Sequence, residues 1–221
     1  MKITFQGHAC FILEGSGGSI IIDPFLKDNP LAKIKPEDVK VDAVLVTHGH
    51  FDHLGDAVEI SKNNNCPVIG TFELVNYCQT KGAPQGHPMH IGGSFQFPFG
   101  RVKLTQAFHG STTDTGPVGN PCGFVVTMDG KSVYHAGDTG LFSDMALYSG
   151  VDCALLPIGD NFTMGIEDAI RAVEFIKPKV AIPMHYNTFD VIKQDPQVFK
   201  EGAEKLGVEV RCLEPGESTE I

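Results

Sequence analysis

Three histidines and one aspartate lie within the seven residues T-H-G-H-F-D-H at positions 47–53. Imidazole nitrogen suits zinc, iron and manganese, and carboxylate oxygen suits a hard or borderline divalent ion. A loop can aim His48 and His50 at one metal, whereas Asp52 and His53 follow the turn and would face a second one. The chain has only nine histidines in 221 residues, so chance does not account for this density. The motif predicts the core of a metal site, and specifically of a two-metal hydrolytic centre.

Further candidate ligands follow other predicted strands. His109 comes after the strand-like residues 102–108, Asp138 lies in a glycine-framed turn, and His185 ends the apolar residues 180–184. A rigid strand that ends in one metal-binding side chain is a common way to build a site. A lone histidine of this kind is more often structural, but three such residues beside the first motif favour a shared site.

The elements that must position these side chains are short apolar segments separated by turn residues. Strands are predicted at residues 2–6, 10–14 and 19–22, with a glycine-rich hairpin turn between the last two. The β-branched segment V-D-A-V-L-V before the motif is typical of a strand buried on both faces. Helical spacing follows at residues 55–62 and 72–81, and more strand is predicted within 92–106.

The second half of the chain repeats patterns of the first. Residues 10–23 and 122–134 share a strand, a glycine turn and a second strand, and residues 41–50 resemble 151–160. We interpret this as a degenerate duplication, although chance similarity between short segments is an alternative. Two such halves would pack sheet on sheet with helices outside and with their loops at one edge. The chain length fits one unit, so residues 1–221 are expected to form a single domain.

Composition and charge bear on partners and location. The net charge is −10 with no basic cluster, so no DNA or large RNA partner is expected. A small-molecule substrate remains compatible, including an anionic one, because bound divalent ions would cancel part of that charge. No apolar segment approaches the ~20 residues that cross a bilayer, so no membrane partner is expected. With no signal-peptide pattern and six scattered cysteines, the expectation is a cytoplasmic protein with reduced thiols.

The order of these motifs resembles that of the metallo-β-lactamase superfamily over essentially the whole chain. The resemblance rests on H-x-H-x-D-H, then His109, the G-D-T around Asp138, and His185. Within the superfamily the chain resembles small bacterial metal-dependent hydrolases, which share the start G-H-A/S-C and the block P-I-G-D-N-F-T-M-G-I-E-D-A. The fold that this implies is a four-layer αβ/βα sandwich, in which two β-sheets pack face to face with helices outside.

The resemblance also implies roles for the candidate ligands. One metal would be held by His48, His50 and His109, the other by Asp52, His53 and His185, and Asp138 would bridge them. Asp52 and Asp138 are the candidate catalytic residues. An aspartate at the bridging position, where the antibiotic-degrading branch tends to have cysteine, argues against β-lactamase activity. The expected cofactor is a pair of divalent ions, zinc before manganese or iron.

Four other polar residues are candidates for the pocket or its support. His8 either lines the pocket or makes a structural hydrogen bond, and Asp23 is expected to orient ligand imidazoles or the loop backbone. Asp160 takes the position of His50 in the inferred duplication, so it either faces the same edge or is a turn carboxylate. Tyr186, next to His185, is a candidate for the pocket wall.

Two ions ~3.5–4 Å apart can share a water and lower its pKa toward ~7. The predicted reaction is attack by that metal-bridged hydroxide on an ester, lactone, thioester or phosphodiester of a small molecule. Specificity is expected to lie in the loops 79–93 and 111–120.

The alternative enzyme is a phosphodiesterase or ribonuclease of the tRNA-processing type. The acidic charge and the lack of a long substrate-gripping insertion argue against it. A flavodiiron-type redox enzyme is disfavoured because that branch replaces a motif histidine with glutamate. A non-catalytic metal-binding protein is disfavoured by the complete ligand set.

Overall fold

The computed structural model describes residues 1–221, and its centre consists of two seven-stranded mixed sheets. The first half of the chain contains β1 (Lys2–Phe5), β2 (Phe11–Gly15), β3 (Gly18–Ile22), β4 (Ala43–Leu45), β5 (Pro67–Thr71) and β6 (Gln85–Met89). After it come β7 (Ser94–Phe97), β8 (Gly100–Gln106), the hairpin strands β9 (Thr112–Thr113) and β10 (Gly116–Pro117), then β11 (Cys122–Met128) and β12 (Lys131–His135). The last strands are β13 (Cys153–Pro157), β14 (Val180–Met184), β15 (Glu209–Val210) and β16 (Ser218–Glu220).

Five α-helices cover the sheets or follow their loops: α1 (Phe51–Leu54), α2 (Ala57–Asn64), α3 (Phe72–Thr80), α4 (Ile166–Ile176) and α5 (Pro196–Glu204). Short 3-10 helices lie at Pro36–Asp38, Ser143–Tyr148 and Asp190–Ile192. The longest helix, α4, has 11 residues, and none of the helices has the length and hydropathy needed to span a membrane.

The two sheets have the same order of strand pairings. In the first, the order is β16-β1-β2-β3-β4-β5-β6, antiparallel through β3 and parallel from β3 to β6. In the second, the order is β15-β14-β13-β12-β11-β8-β7, antiparallel from β7 to β12 and parallel from β12 to β15. Strand β4 therefore corresponds to β13, which is the correspondence that the sequence similarity between residues 41–50 and 151–160 predicts.

The layers follow from strands that are apolar on both faces. In β3, Ile20 and Ile22 enter the core between the sheets, whereas Ile21 packs into the core beneath α2 and α3. In β13, Leu155 faces the inter-sheet core and Leu156 faces the core beneath α4 and α5. Since neighbouring side chains of a strand point to opposite faces, uninterrupted apolar strands require a cover on each side. The result is the helix–sheet–sheet–helix sandwich, which confirms the predicted fold class.

Two elements differ from the sequence-based expectation. Residues 79–93 are not only loop, because β6 runs within them as the edge strand beside β5. Its sequence Q-G-H-P-M lacks the usual apolar alternation, and proline is tolerated there because an edge strand can leave one side unpaired. The helix predicted at residues 55–62 begins later, as α2 (Ala57–Asn64), and a separate helix, α1, precedes it within the histidine motif. The division between the two helices falls at Gly55.

Gly55 makes that division necessary. Its φ is +37°, and a Cβ atom would collide with the Pro24 carbonyl oxygen. The chain therefore passes close to the loop after β3, which brings the motif next to Asp23.

Candidate metal centre

The predicted ligands lie at one edge of the sandwich, Asp52 and His53 in the short helix α1 and the others in loops. Three hydrogen bonds join the halves there: His185 N–H donates to the His8 carbonyl (2.6 Å), Cys122 N–H to the Thr47 carbonyl (3.0 Å), and the His135 side chain to the Ala9 carbonyl (2.9 Å). Loops from both sheets are thereby held in fixed register around the site.

Three residues of this edge have left-handed backbones although they are not glycine. The φ angles of His8, Asp23 and His185 are 60°, 47° and 55°. Such conformations cost roughly 1–3 kcal/mol each and persist where surrounding contacts hold them. All three side chains are buried at the site, so their conformations are tied to it.

One group of imidazoles comes from the motif and from His109. The Nδ1 atom of His50 lies 3.0 Å from His48 Nε2 and 3.2 Å from His109 Nε2. The three nitrogens all lie within 4.8 Å of one another, so one ion can contact all of them. His48 comes from the loop after β4, while His109 comes from the loop after β8 of the other sheet.

Asp138 joins this group to a second one. Its Oδ1 lies 3.2 Å from His53 Nε2, and its Oδ2 lies 3.0 Å from His185 Nε2. The same Oδ2 is 3.5 Å from His109 Nε2 and 3.9 Å from His48 Nε2. Asp52 completes the second group, with Oδ2 3.9 Å from His185 Nε2. The structure thus brings all seven predicted ligands into one cluster, with Asp138 between its two halves.

The buried atoms of this cluster lack ordinary hydrogen-bond partners. His53 Nε2, His185 Nε2 and Asp138 Oδ1 are all inaccessible to solvent and form no hydrogen bond. Unpartnered buried polar atoms are costly and call for an explanation. Lone pairs that converge from five imidazoles and two carboxylates fit divalent cations, for which nitrogen and oxygen are suitable donors. The residues present therefore fit the metal pair that the resemblance implies.

Asp23 lies behind the cluster and fixes two imidazoles. It is completely buried and accepts hydrogen bonds from the Thr47 N–H (2.8 Å), the Thr47 hydroxyl (2.7 Å) and His53 Nδ1 (2.7 Å). Because the Thr47 hydroxyl donates to Asp23, its oxygen accepts from His48 Nδ1 at 2.9 Å. Both His48 and His53 are thereby held with Nδ1 protonated, which turns the lone pair of each Nε2 toward the cluster.

Several side chains of the metal-free cluster have pKa values far from their usual ones. Burial lowers the pKa of His53, but Asp138 and Asp23 on either side outweigh burial and hold that pKa well above its usual value. Burial raises the pKa of Asp138, but the charges of His185 and His53 outweigh it, so that pKa lies well below its usual value. Burial lowers the pKa of His48. Asp138 is therefore an anion at neutral pH and His48 a neutral ligand, as cation binding requires.

His8 supports the second group through Asp52. Its ring is fully buried, with Nε2 3.1 Å from Asp52 Oδ2 and Nδ1 2.9 Å from the Thr188 hydroxyl. Burial, together with the neighbouring His185, lowers the pKa of His8 to about 4. The ring is thus neutral at pH 7, and it donates from Nε2 to the carboxylate while the Thr188 hydroxyl donates to Nδ1. Of the two alternatives drawn from the sequence, His8 therefore makes the structural hydrogen bonds and does not line the cavity.

His135 holds the loop that carries Asp138, although sequence reasoning assigned it no role. Its Nε2 donates to the Ala9 carbonyl, and its Nδ1 accepts from the Gly137 N–H at 3.1 Å. Only a neutral ring can make both bonds, and burial lowers the pKa of His135 accordingly. No local pattern indicates this role, because Ala9 is 126 residues away.

Two predicted pocket residues are placed elsewhere. Asp160 is exposed, has a φ of 60° and binds the N–H of Asn161, so it is the turn carboxylate and does not line the cavity. Tyr186 packs into the core beneath α4 and α5 and not into the pocket wall. Both residues lie beyond the end of a strand, where alternation no longer fixes the direction of a side chain. Asp160 itself and His185, which precedes Tyr186, have left-handed backbones.

A cavity of about 780 Å³ opens over the cluster. The β9–β10 hairpin forms one side, and it packs closely on the motif, since a Cβ at Gly49 would lie 2.9 Å from the Thr112 carbonyl oxygen. Of the predicted specificity loops, 111–120 contributes to the lining and 79–93 does not. Another part of the lining is apolar and includes Phe25, Phe51 and Phe189, whose rings lie next to one another. The sequence analysis did not identify these aromatic residues, because no residue pattern marks them and only their position near the loops of the site distinguishes them.

The metal-free protein is expected to be most stable near pH 6.5 and to lose stability as the pH falls toward 4. The pKa values of His8, His48 and His135 are lowered in the folded state, whereas unfolded histidine titrates near ~6.5. Below that pH the unfolded chain binds more protons, so the free energy of unfolding falls. His53, whose pKa is raised, is protonated in both states there, and it lowers stability only as the pH rises above ~6.5.

Urea denaturation of chelator-treated protein at pH 7, 6, 5 and 4.5 measures this dependence. A free energy of unfolding that stays constant or increases as the pH falls from 6 to 4.5 would contradict the proposed neutral, buried histidines.

Known proteins resemble this chain in both sequence and fold. Residues 2–185 match the family model described as a β-lactamase superfamily domain. A metal-dependent hydrolase of Pelotomaculum thermopropionicum is 56% identical over 100% of both chains, and one of Carboxydothermus hydrogenoformans is 52% identical over 98% of both. Among solved structures, Igni18, a metallo hydrolase from the archaeon Ignicoccus hospitalis, superposes with a TM-score of 0.90 at 41% identity, covering 100% of this chain and 98% of that one.

A metallo-β-lactamase fold protein from Bacillus subtilis shows the same architecture at lower identity. It superposes with a TM-score of 0.78 at 14% identity, over 99% of this chain and 98% of that one, which is a likeness of fold alone. The full-length relatives above 50% identity, together with the family model, decide the relationship. The chain therefore belongs to the metallo-β-lactamase superfamily and, within it, to the metal-dependent hydrolases.

Proposed function

We propose that this protein hydrolyses a small-molecule ester, lactone, thioester or phosphodiester with a pair of divalent metal ions. The observation that carries the proposal is the position of Asp138, whose two carboxylate oxygens face both groups of imidazoles at the floor of an open cavity. A buried carboxylate between two sets of converging lone pairs is suited to bridge two cations.

The proposed ligands form two sets, one for each ion. One ion would be held by His48, His50 and His109, the other by Asp52, His53 and His185, with Asp138 shared. Zinc is the proposed metal, ahead of manganese and iron. Bound ions supply an activated water at neutral pH and stabilise negative charge that develops on the substrate. Asp23 and His8 keep the ligands oriented, so that little rearrangement is needed when the ions bind.

The relatives support the reaction class. The proteins from Pelotomaculum and Carboxydothermus are named metal-dependent hydrolases, and Igni18 is named a metallo hydrolase. We further propose that residues 1–221 act as one hydrolase domain, because loops of both sheets contribute to the cluster. A cytoplasmic location is also proposed, since the six cysteines are free and five of them are buried.

A nuclease remains the less favoured alternative, and DNA is not a proposed partner. The chain carries a net charge of −10, and no lysine or arginine lines the cavity. Binding to a phosphate backbone depends on such cations.

A substrate panel tests the proposal. Protein stripped with a chelator and reloaded with Zn, Mn or Fe is incubated with a p-nitrophenyl ester, an aryl lactone, an acyl thioester and bis-p-nitrophenyl phosphate. We expect about two ions per chain, by analogy with two-metal hydrolases, and saturable turnover that is absent from the stripped protein. Two bound ions without turnover of any substrate would instead identify a non-catalytic metal-binding protein.

A further inference from the structure

The cavity over the metal centre has one strongly apolar side. We call it the aromatic wall and define it as Phe25, Phe51, Phe189 and Val191. The ring centroids of Phe51 lie 5.8 Å from Phe25 and 6.2 Å from Phe189, so the three aromatic residues form one packed surface. Phe51 is 68% exposed and Val191 is 61% exposed. Large apolar side chains that are this exposed beside a reactive site mark a surface on which an apolar ligand group can be buried.

The aromatic wall lies directly beside the metal centre. Phe25 and Phe189 contact the His8 ring, with centroid separations of 5.7 Å and 5.5 Å, and His8 is bonded to Asp52. Phe51 lies within the motif itself, between His50 and Asp52. A substrate whose reacting bond lies over the cluster would therefore place its neighbouring group on this wall.

Apart from the histidines, every charged residue that lines the cavity is acidic. No lysine or arginine lines it, whereas Asp28, Asp56 and Asp114 do. Asp56 is occupied by the backbone N–H groups of Leu26 and Lys27. Asp114 pairs with Lys81 at 2.7 Å, so that cation, which lies outside the lining, is already neutralised. No protein cation is left to pair with an anionic group of a substrate.

The metal ions do not change that conclusion for groups away from the reacting bond. Asp52 and Asp138 cancel half of the charge of two divalent ions, and a hydroxide would leave about one positive charge at the centre. That charge matches the negative charge that develops at the reacting atom. A carboxylate or phosphate elsewhere in the substrate would instead face an apolar wall and acidic side chains, and would lose its hydration without gaining a partner.

We propose that the substrate is a neutral molecule whose group next to the scissile bond is an aryl or alkyl group seated on the aromatic wall, and that the site discriminates against substrates with an additional anionic group. This inference rests on the proposed function and narrows it to uncharged carboxylic esters, lactones or thioesters. It also narrows the sequence-based interpretation, in which an anionic small molecule remained compatible because bound divalent ions would cancel part of the negative charge.

Two hydroxamic acids of equal length test the inference without requiring turnover. Hexanohydroxamic acid and adipic acid monohydroxamate share a metal-binding head and differ only in a terminal methyl or carboxylate group. Their dissociation constants for the zinc-loaded protein are measured by calorimetry. We expect hexanohydroxamic acid to bind at least ~10-fold more tightly, because its tail gains apolar contact and the carboxylate loses hydration.

Two variants test whether the alkyl tail of hexanohydroxamic acid lies on the aromatic wall. Phe51→Ala and Val191→Ala should each weaken the binding of hexanohydroxamic acid by ~3-fold or more and leave that of the adipic compound nearly unchanged. Val191→Ala shows whether weaker binding comes from lost apolar contact and not from a disturbed histidine motif, because Val191 lies outside that motif. The matched control is Phe72→Ala, at a phenylalanine that is 51% exposed and outside the cavity lining, and it should change neither affinity.

Several outcomes would overturn the inference: equal affinities, tighter binding of the adipic compound, binding of neither ligand to loaded protein, or no effect of both wall variants. The proposed function fails by different measurements, namely metal content below two ions or no turnover in the substrate panel. A protein that prefers the apolar tail but hydrolyses nothing would retain the aromatic wall as a binding surface and lose the proposed reaction.

Discussion

Replacing Asp138 with asparagine is expected to reduce bound metal from about two ions per chain to one or none, and to reduce kcat/KM by ~10³-fold or more. Oδ1 of Asp138 faces His53 and Oδ2 faces both His185 and His109, so both oxygens are used. An amide removes the negative charge and replaces one acceptor with a donor, which cannot bind a cation. Asp23 cannot replace it because it is occupied by Thr47 and His53, and Asp52 already belongs to the second group and is paired with His8.

Elemental analysis of purified, zinc-reloaded protein and turnover of the best substrate of the panel measure the two effects. The matched control is Asp144→Asn, an exposed aspartate in the 3-10 helix that follows the same loop, and it should keep both metal and activity. Circular dichroism of the metal-free variants checks that they are folded. An Asp138→Asn protein that still holds two ions and turns over at the wild-type rate would refute the bridging role.

Sequence reasoning was strongest where information is local. The strands around the site are continuous apolar segments, and the four-layer sandwich follows from the need to cover both faces of each strand. Within the motif, His48, His50 and His53 are close in sequence, so their proximity in space needs no tertiary information. The repeated order of strand pairings explains why two weak internal similarities could predict the architecture of both sheets.

The supporting contacts could not be predicted because they join residues that are distant in the chain. His8 binds Thr188 across 180 residues, and His135 binds Ala9 across 126. For a related reason the sequence could not decide between the two alternatives for Asp160 and wrongly placed Tyr186 at the pocket wall. Both residues lie beyond a strand end, where alternation no longer gives the direction of a side chain. The orientation of a loop side chain depends on backbone angles that tertiary contacts impose, such as the φ of 55° at His185.

Asp23→Asn is expected to weaken metal affinity by roughly 10- to 100-fold and to destabilise the metal-free protein by about 3 kcal/mol, although Asp23 is not a predicted ligand. The carboxylate accepts three hydrogen bonds at complete burial, and an asparagine can supply only one oxygen. In one orientation its NH₂ group would face the Thr47 N–H, and in the other it would face both the Thr47 hydroxyl and His53 Nδ1, all of which are donors. If His53 then moves its proton to Nε2, it presents N–H and not a lone pair toward Asp138.

Two measurements separate these consequences. A competition titration with a zinc chelator gives the affinity, and thermal unfolding of metal-free protein should show a melting temperature lower by roughly 6–12 °C. Asp38→Asn, at an exposed aspartate in another 3-10 helix, is the control and should shift neither value. Because Asp23 touches no substrate, saturation with zinc should restore most of the kcat of Asp23→Asn, whereas excess zinc cannot restore Asp138→Asn. Failure of zinc to rescue Asp23→Asn, or wild-type zinc affinity in that variant, would show that Asp23 does not act by orienting the ligands.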